Sequence, residues 1–183
     1  LYTHFPSDRI NCEICRRCKP LRARCSPKTE RRGDELPAPK EFGDAVTADH
    51  KVLNDEDKSR NADRNVCVIQ DKFTYWLQSY AAPHKSAEET TKAFQRFGGP
   101  NAQISHVYSD NSKEIAKSME TLGYSHDTST PHRSETNGIA ERAVRRVKEG
   151  TSCALSQSGF NEDWWARAMT IYCFLRVTMD ILV

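Results

Sequence analysis

The sequence predicts a mixed α/β domain in which helices cover one five-stranded sheet. Short apolar runs bounded by turn formers alternate with amphipathic stretches, and their order is three strands, helix, strand, helix, strand, helix, helix. A length of 183 residues holds one such domain with a small appendage, and two large domains will not fit.

The appendage comes first, as residues 1–30. Cys12, Cys15, Cys18 and Cys25 crowd into it, and Cys12-x2-Cys15 has the spacing of a zinc half-site, where two thiolates reach one tetrahedral ion. Zn2+ needs further ligands, for which His4, Cys18 and Cys25 are candidates. The same segment is the basic part of the chain: residues 1–40 hold ten Lys/Arg against five Asp/Glu, and residues 41–183 hold seventeen against twenty. A field of that sign favours polyanions. Residues 31–41, rich in Pro, Gly and charge, read as a linker.

The domain then occupies residues 42–183. Ala45 to Asp49 is a plausible first strand, and the acidic DEDKSRNADRN after it a loop. NVCVIQD is a short apolar strand that pairs, through a tight turn at Asp71–Lys72, with a longer aromatic one, KFTYWLQSYAA. Ser86 caps a helix through AEETTKAFQRF, which stops at Gly98-Gly99-Pro100. A helical crossover makes the next strand, ISHVYSD, parallel to its neighbour. KEIAKSMETLG is a short helix ending at Gly123, and YSHDTST a weak strand. A long helix runs from about Asn137 to Ser156, and a last one from Asp163 to about Val177 carries Trp164 and Trp165 as core or subunit-interface residues. Cys67 and Cys173 fall in apolar surroundings and belong to the core. No apolar run reaches the roughly 18 residues of a membrane span, which points to a soluble intracellular protein.

Asp49 lies in the first strand and Asp110 ends the fourth, where carboxylates face the ligand side of an open sheet. At about 100° per residue, Ala140, Val144, Val147, Thr151 and Leu155 make one mostly apolar stripe of the long helix, with Glu141 and Lys148 along its border and Arg142, Arg146 and Glu149 turned to solvent. Three carboxylates converging there repel one another unless cations lie between them, which argues for divalent metal. His132, in the turn before the helix, is a candidate for touching DNA or orienting an acidic ligand. His50 points to the face opposite Asp49. His84, His106 and His126 read as structural or exposed.

At DNSKEI and at STPHRSETNGIAERAVRRVKEG the chain resembles the integrase catalytic core of retroviruses and long-terminal-repeat retrotransposons, with the Copia-type elements nearest. CEICRRCK resembles the final cysteine pair of that family's zinc module. The resemblance implies a ribonuclease H-like fold, with Asp49, Asp110 and Glu141 as catalytic residues and ligands of Mg2+ or Mn2+. Lys148 matches a lysine that contacts the element's DNA end, Asn111 and Asn137 match residues that shape the site and its mobile loop, and Cys12 and Cys15 match zinc ligands. Arg145 and the amino-terminal arginines join Lys148 in neutralising phosphates without reading sequence. The implied activity is 3′-end processing of element DNA and strand transfer into target DNA, by a homo-oligomer without membrane attachment, in the nucleus or in a cytoplasmic particle. Two departures stand out. Thirty residues separate Asp110 from Glu141, fewer than retroviral cores usually have, and the zinc module's histidine pair is not recognisable. A remnant that only binds DNA, or a ribonuclease H-like nuclease, is the alternative reading.

Overall fold

The computed structural model describes residue 4 and residues 7–19, 38–101, 103–128 and 138–180. His132, Asn137, Cys25 and most of the linker lie outside the described residues. A short helix α1 (Glu13–Cys18) precedes the domain, whose elements are β1 (Val46–Val52), β2 (Asn65–Asp71), β3 (Leu77–Ala82), α2 (Ala87–Gly98), β4 (His106–Ser109), α3 (Lys113–Leu122), β5 (Ser125–Thr128), α4 (Gly138–Ser158) and α5 (Trp165–Asp180). The five strands form one sheet in the order β3-β2-β1-β4-β5. β1 to β3 are antiparallel, and β4 and β5 add in parallel, as the helical crossovers require.

Strand parity builds two cores. Val46, Ala48, Cys67 and Ile69 face α2 and α3 through Phe94, Phe97, Ile115 and Met119. Val66, Val68 and Leu77 face α4 and α5 through Ala143, Val147, Trp165 and Cys173. β2 is therefore buried on both faces, which explains its unbroken apolar sequence. α2 presents Thr90, Ala93, Phe94 and Phe97 to the sheet at helical spacing, begins with Ser86 Oγ accepting from Glu89 N at 3.2 Å, and yields to Gly99 at φ 70°.

Two expectations need correction. The run KFTYW is not strand: Asp71 is fully buried, and its carboxylate accepts from Gly43 N (3.0 Å), Phe73 N (3.1 Å), Thr74 N (2.6 Å) and Thr74 Oγ1 (2.7 Å), which winds residues 72–76 into a turn. The buried stripe of α4 is also rotated from the apolar one, since Ala140, Ala143, Val147, Gly150, Thr151 and Cys153 are covered. Arg146 and Glu149 are half-buried as a result. α1 packs on α4, with Arg17 Nη2 donating to Ser156 Oγ at 2.8 Å. Among the described residues no helix is long and apolar enough to cross a membrane.

Candidate active site and thiol cluster

The parallel pair β1/β4 sets two acids side by side. Ala48 pairs with Ser109, so one step further along the ladder Asp49 stands beside Asp110. Both then fall on the sheet face opposite Val46, Ala48 and Val107, the face that α4 covers. Glu141 is exposed in the first turn of α4, the helix that covers that face. His50, at the next parity, turns to the other face, where its Nε2 lies 3.1 Å from Thr90 Oγ1.

Electrostatics ties the three acids together. Burial first, and then the charge of Asp110, push the Asp49 carboxyl up to about 6, with Glu141 adding to the rise and Lys85 opposing it. Asp110 Oδ1 is buried and accepts no hydrogen bond among the described residues, an arrangement that costs about 1–3 kcal/mol for an ordinary polar group. An oxygen-seeking divalent cation would satisfy that atom and relieve the repulsion at Asp49, so the donor set fits Mg2+ or Mn2+. The three acids are near enough to feel one another, yet they are not drawn together as closely as a coordinated set.

Around the acids, Asn111 is exposed in the turn after β4. Arg145 and Lys148 are exposed on α4 and stand four and seven residues after Glu141, so all three share one outward stripe. Lys85 was not singled out by sequence. It precedes α2, pairs with Glu114 at 3.4 Å and acts on both Asp49 and His50. His126 is structural: its Nε2 lies 2.8 Å from Ser109 Oγ, which donates to the Asp110 carbonyl at 2.8 Å.

The amino-terminal segment supplies a second cluster. His4, Cys12 and Cys15 bring one ligand atom each to within 4.8 Å of one another, and among the described residues no other group of three potential ligands is so close. Cys12 caps α1 and its Sγ accepts from Cys15 N at 3.4 Å, a bond that favours the Cys12 thiolate. His4 Nδ1 lies 3.3 Å from Cys15 Sγ and 3.4 Å from Cys12 Sγ. Thiolate and imidazole in this arrangement fit zinc. Cys12 and Cys15 are thus brought together as their spacing indicates, and of the other candidates His4 joins them.

No family model matches the chain. It is 32% identical over 127 residues to the retrovirus-related Pol polyprotein from transposon RE1 of Arabidopsis thaliana, a match covering 65% of this chain and 9% of that one. The RE2 polyprotein of the same plant is 30% identical over 118 residues, covering 61% and 8%. The chain therefore spans less than a tenth of the length of these relatives. Among solved structures, a chain of the simian T-cell lymphotropic virus intasome in complex with PP2A regulatory subunit B56 gamma superposes with TM-score 0.60 at 19% identity, over 90% of this chain and 56% of that chain. The catalytic core domain of BIV integrase superposes with TM-score 0.50 at 16% identity, over 73% and 82%. The fold is the ribonuclease H-like fold of integrase catalytic cores.

Proposed function

Starting from a chain that resembles integrase cores in fold and retrotransposon Pol polyproteins in sequence, we propose that residues 42–183 are the catalytic core of a retrotransposon integrase. In this reading Asp49, Asp110 and Glu141 are its catalytic carboxylates, and element DNA ends and target DNA its substrates. The observation that carries the proposal is the acid cluster: Asp49 and Asp110 in adjacent register on the α4 face, Glu141 acting on Asp49, and Asp110 Oδ1 buried without a partner.

The residues have separable tasks. Asp49 must be ionised to ligate, and a carboxyl held up at about 6 gives up its proton readily once a cation replaces the repulsion of its neighbours. Asp110 offers a ligand from just past the end of β4, and Glu141 brings the third oxygen from the first turn of α4. When bound, the divalent ions would activate water or a 3′-hydroxyl and stabilise the leaving oxygen of the phosphodiester. Arg145 and Lys148 neutralise phosphates along the outward stripe of α4, with Asn111 beside Asp110 and, from the sequence, Asn137 and His132 before the helix. Cys12, Cys15 and His4 hold zinc in the segment 1–30, which joins the core through residues 31–41. In this reading the working unit is a homo-oligomer on DNA.

The test is end processing and strand transfer on the element's own DNA ends, using this chain and its full-length parent with Mg2+ or Mn2+. Asp110→Asn should abolish both reactions and the metal-dependent rise in melting temperature. A variant that kept either reaction, or the full metal shift, would make Asp110 an ordinary strand-end acid. Metal binding and DNA binding without either reaction in the parent would favour a remnant that only binds DNA.

A further inference from the structure

The catalytic helix reaches the thiol cluster at its far end. His4 turns Nδ1 towards the two sulfurs and Nε2 towards Gln157 Oε1, 2.9 Å away on the last turn of α4. The two contacts fix each other. An amide oxygen only accepts, so Nε2 carries the proton and donates, and Nδ1 is left with its lone pair facing Cys12 and Cys15. A histidine that ligates metal through one ring nitrogen is commonly held through the other in this way, which sets both its tautomer and its angle.

Other contacts hold the same two surfaces together. Ser156, next to Gln157, accepts from Arg17 at 2.8 Å. Lys19, just past α1, donates from Nζ to the His4 carbonyl. Cys153, one turn before Gln157, is fully buried, and Lys19, Cys18 and Cys15 are the groups that act on its thiol. One face of α4 around residues 153, 156 and 157 therefore forms the floor on which α1 and His4 sit.

Building on the zinc reading of the cluster, we infer that Gln157 is a positioning residue for the zinc site. It orients His4 for coordination through Nδ1, so that metal binding in the amino-terminal segment clamps that segment onto the helix carrying Glu141 and Lys148. The device is specific to this chain's residues, since a module folded apart from the core would need no acceptor from α4. It also gives zinc a mechanical route to the site. A loaded cluster pins the end of α4, and an empty one leaves the His4 ring without its metal anchor, held to α4 through the Gln157 amide.

The experiment is zinc titration of the full chain, thiols kept reduced, against a chromophoric chelator, with hydrogen exchange of the α4 amides read with and without zinc. Gln157→Ala should weaken zinc binding by about 10–100-fold. Gln157→Glu, which keeps an acceptor at the same reach, should restore it. Zinc should slow exchange at residues 154–158 in the wild type and not in Gln157→Ala. Wild-type affinity in Gln157→Ala, or equal weakness in Gln157→Glu, would overturn the inference and leave the zinc reading standing. Zinc uptake no stronger in the wild type than in a Cys12→Ser/Cys15→Ser variant would overturn both.

Discussion

Asp49 and His50 are neighbours in sequence, face opposite sides of the sheet, and are pulled from their ordinary ionisation in opposite senses. Burial, Asp110 and Glu141 raise the Asp49 carboxyl to about 6, above an unfolded value near 4. The folded state thus holds the Asp49 proton more tightly, and this contribution favours folding below about pH 4 and is lost as pH rises through about 6. Burial, and then Lys85, lower His50 to about 4 from an unfolded value near 6.5. Its contribution is present above about pH 6.5 and is lost as pH falls through about 4. Over one window the two slopes oppose each other, so each hides the other in the wild type. Asp49→Asn removes one of them: the stability of the variant relative to wild type should rise by on the order of 2–3 kcal/mol between pH 4 and 6.5 without divalent metal. Urea denaturation across that range measures it. A flat difference would mean that neither burial nor the neighbouring acids raise the Asp49 carboxyl.

At the scale of elements, the periodic segments were legible and the contact-determined ones were not. α2 and β2 could be read because their apolar positions follow a helical period or an unbroken buried run. The places of Asp49 in β1, Asp110 just past β4 and Glu141 in the first turn of α4 could be read because they are local features of strand and helix, whereas the role proposed for them comes from the family resemblance. The aromatic stretch before β3 has strand-like residues, yet Asp71 takes its backbone amides, and one of its partners is Gly43, twenty-eight residues away. His4 and Gln157 meet across 153 residues, beyond the reach of any spacing argument. Gly150 tells the same story for α4, since an added Cβ would stand 2.1 Å from the Tyr172 ring of α5. Hydropathy gives that glycine no weight, although it sets how closely the helices cross. Gly150→Ala gains about 1 kcal/mol of helix propensity but overpacks the crossing by about 1–3 kcal/mol, so the net effect should be destabilising and Tyr172→Leu should partly reverse it. Asp71→Ala strips acceptors from three amides and should cost about 2–4 kcal/mol, with thermal unfolding as the measurement. A stable Asp71→Ala protein would show that the turn at 72–76 holds without its carboxylate.

Across the whole molecule, the uneven charge and the docking of α1 combine. The basic segment carries ten Lys/Arg in residues 1–40, and the contacts of Arg17 and His4 with α4 bring part of it onto the helix that also bears Arg145 and Lys148. Net charge is only +2, so attraction to DNA has to come from this local concentration and not from the chain as a whole. Binding to duplex DNA should therefore be largely independent of sequence and fall steeply with salt, because each neutralised phosphate releases condensed counterions. If Arg145 and Lys148 each engage one phosphate, replacing both by glutamine should flatten the plot of log affinity against log salt by roughly 2, about 0.9 for each contact. Asp110→Asn, which touches the acids and no phosphate, should leave that slope alone. Fluorescence anisotropy over a salt series separates the cases. An affinity unchanged between low and moderate salt would exclude an electrostatic mode, and an unchanged slope in the Arg145→Gln/Lys148→Gln variant would move the phosphate contacts off α4 and onto the amino-terminal arginines.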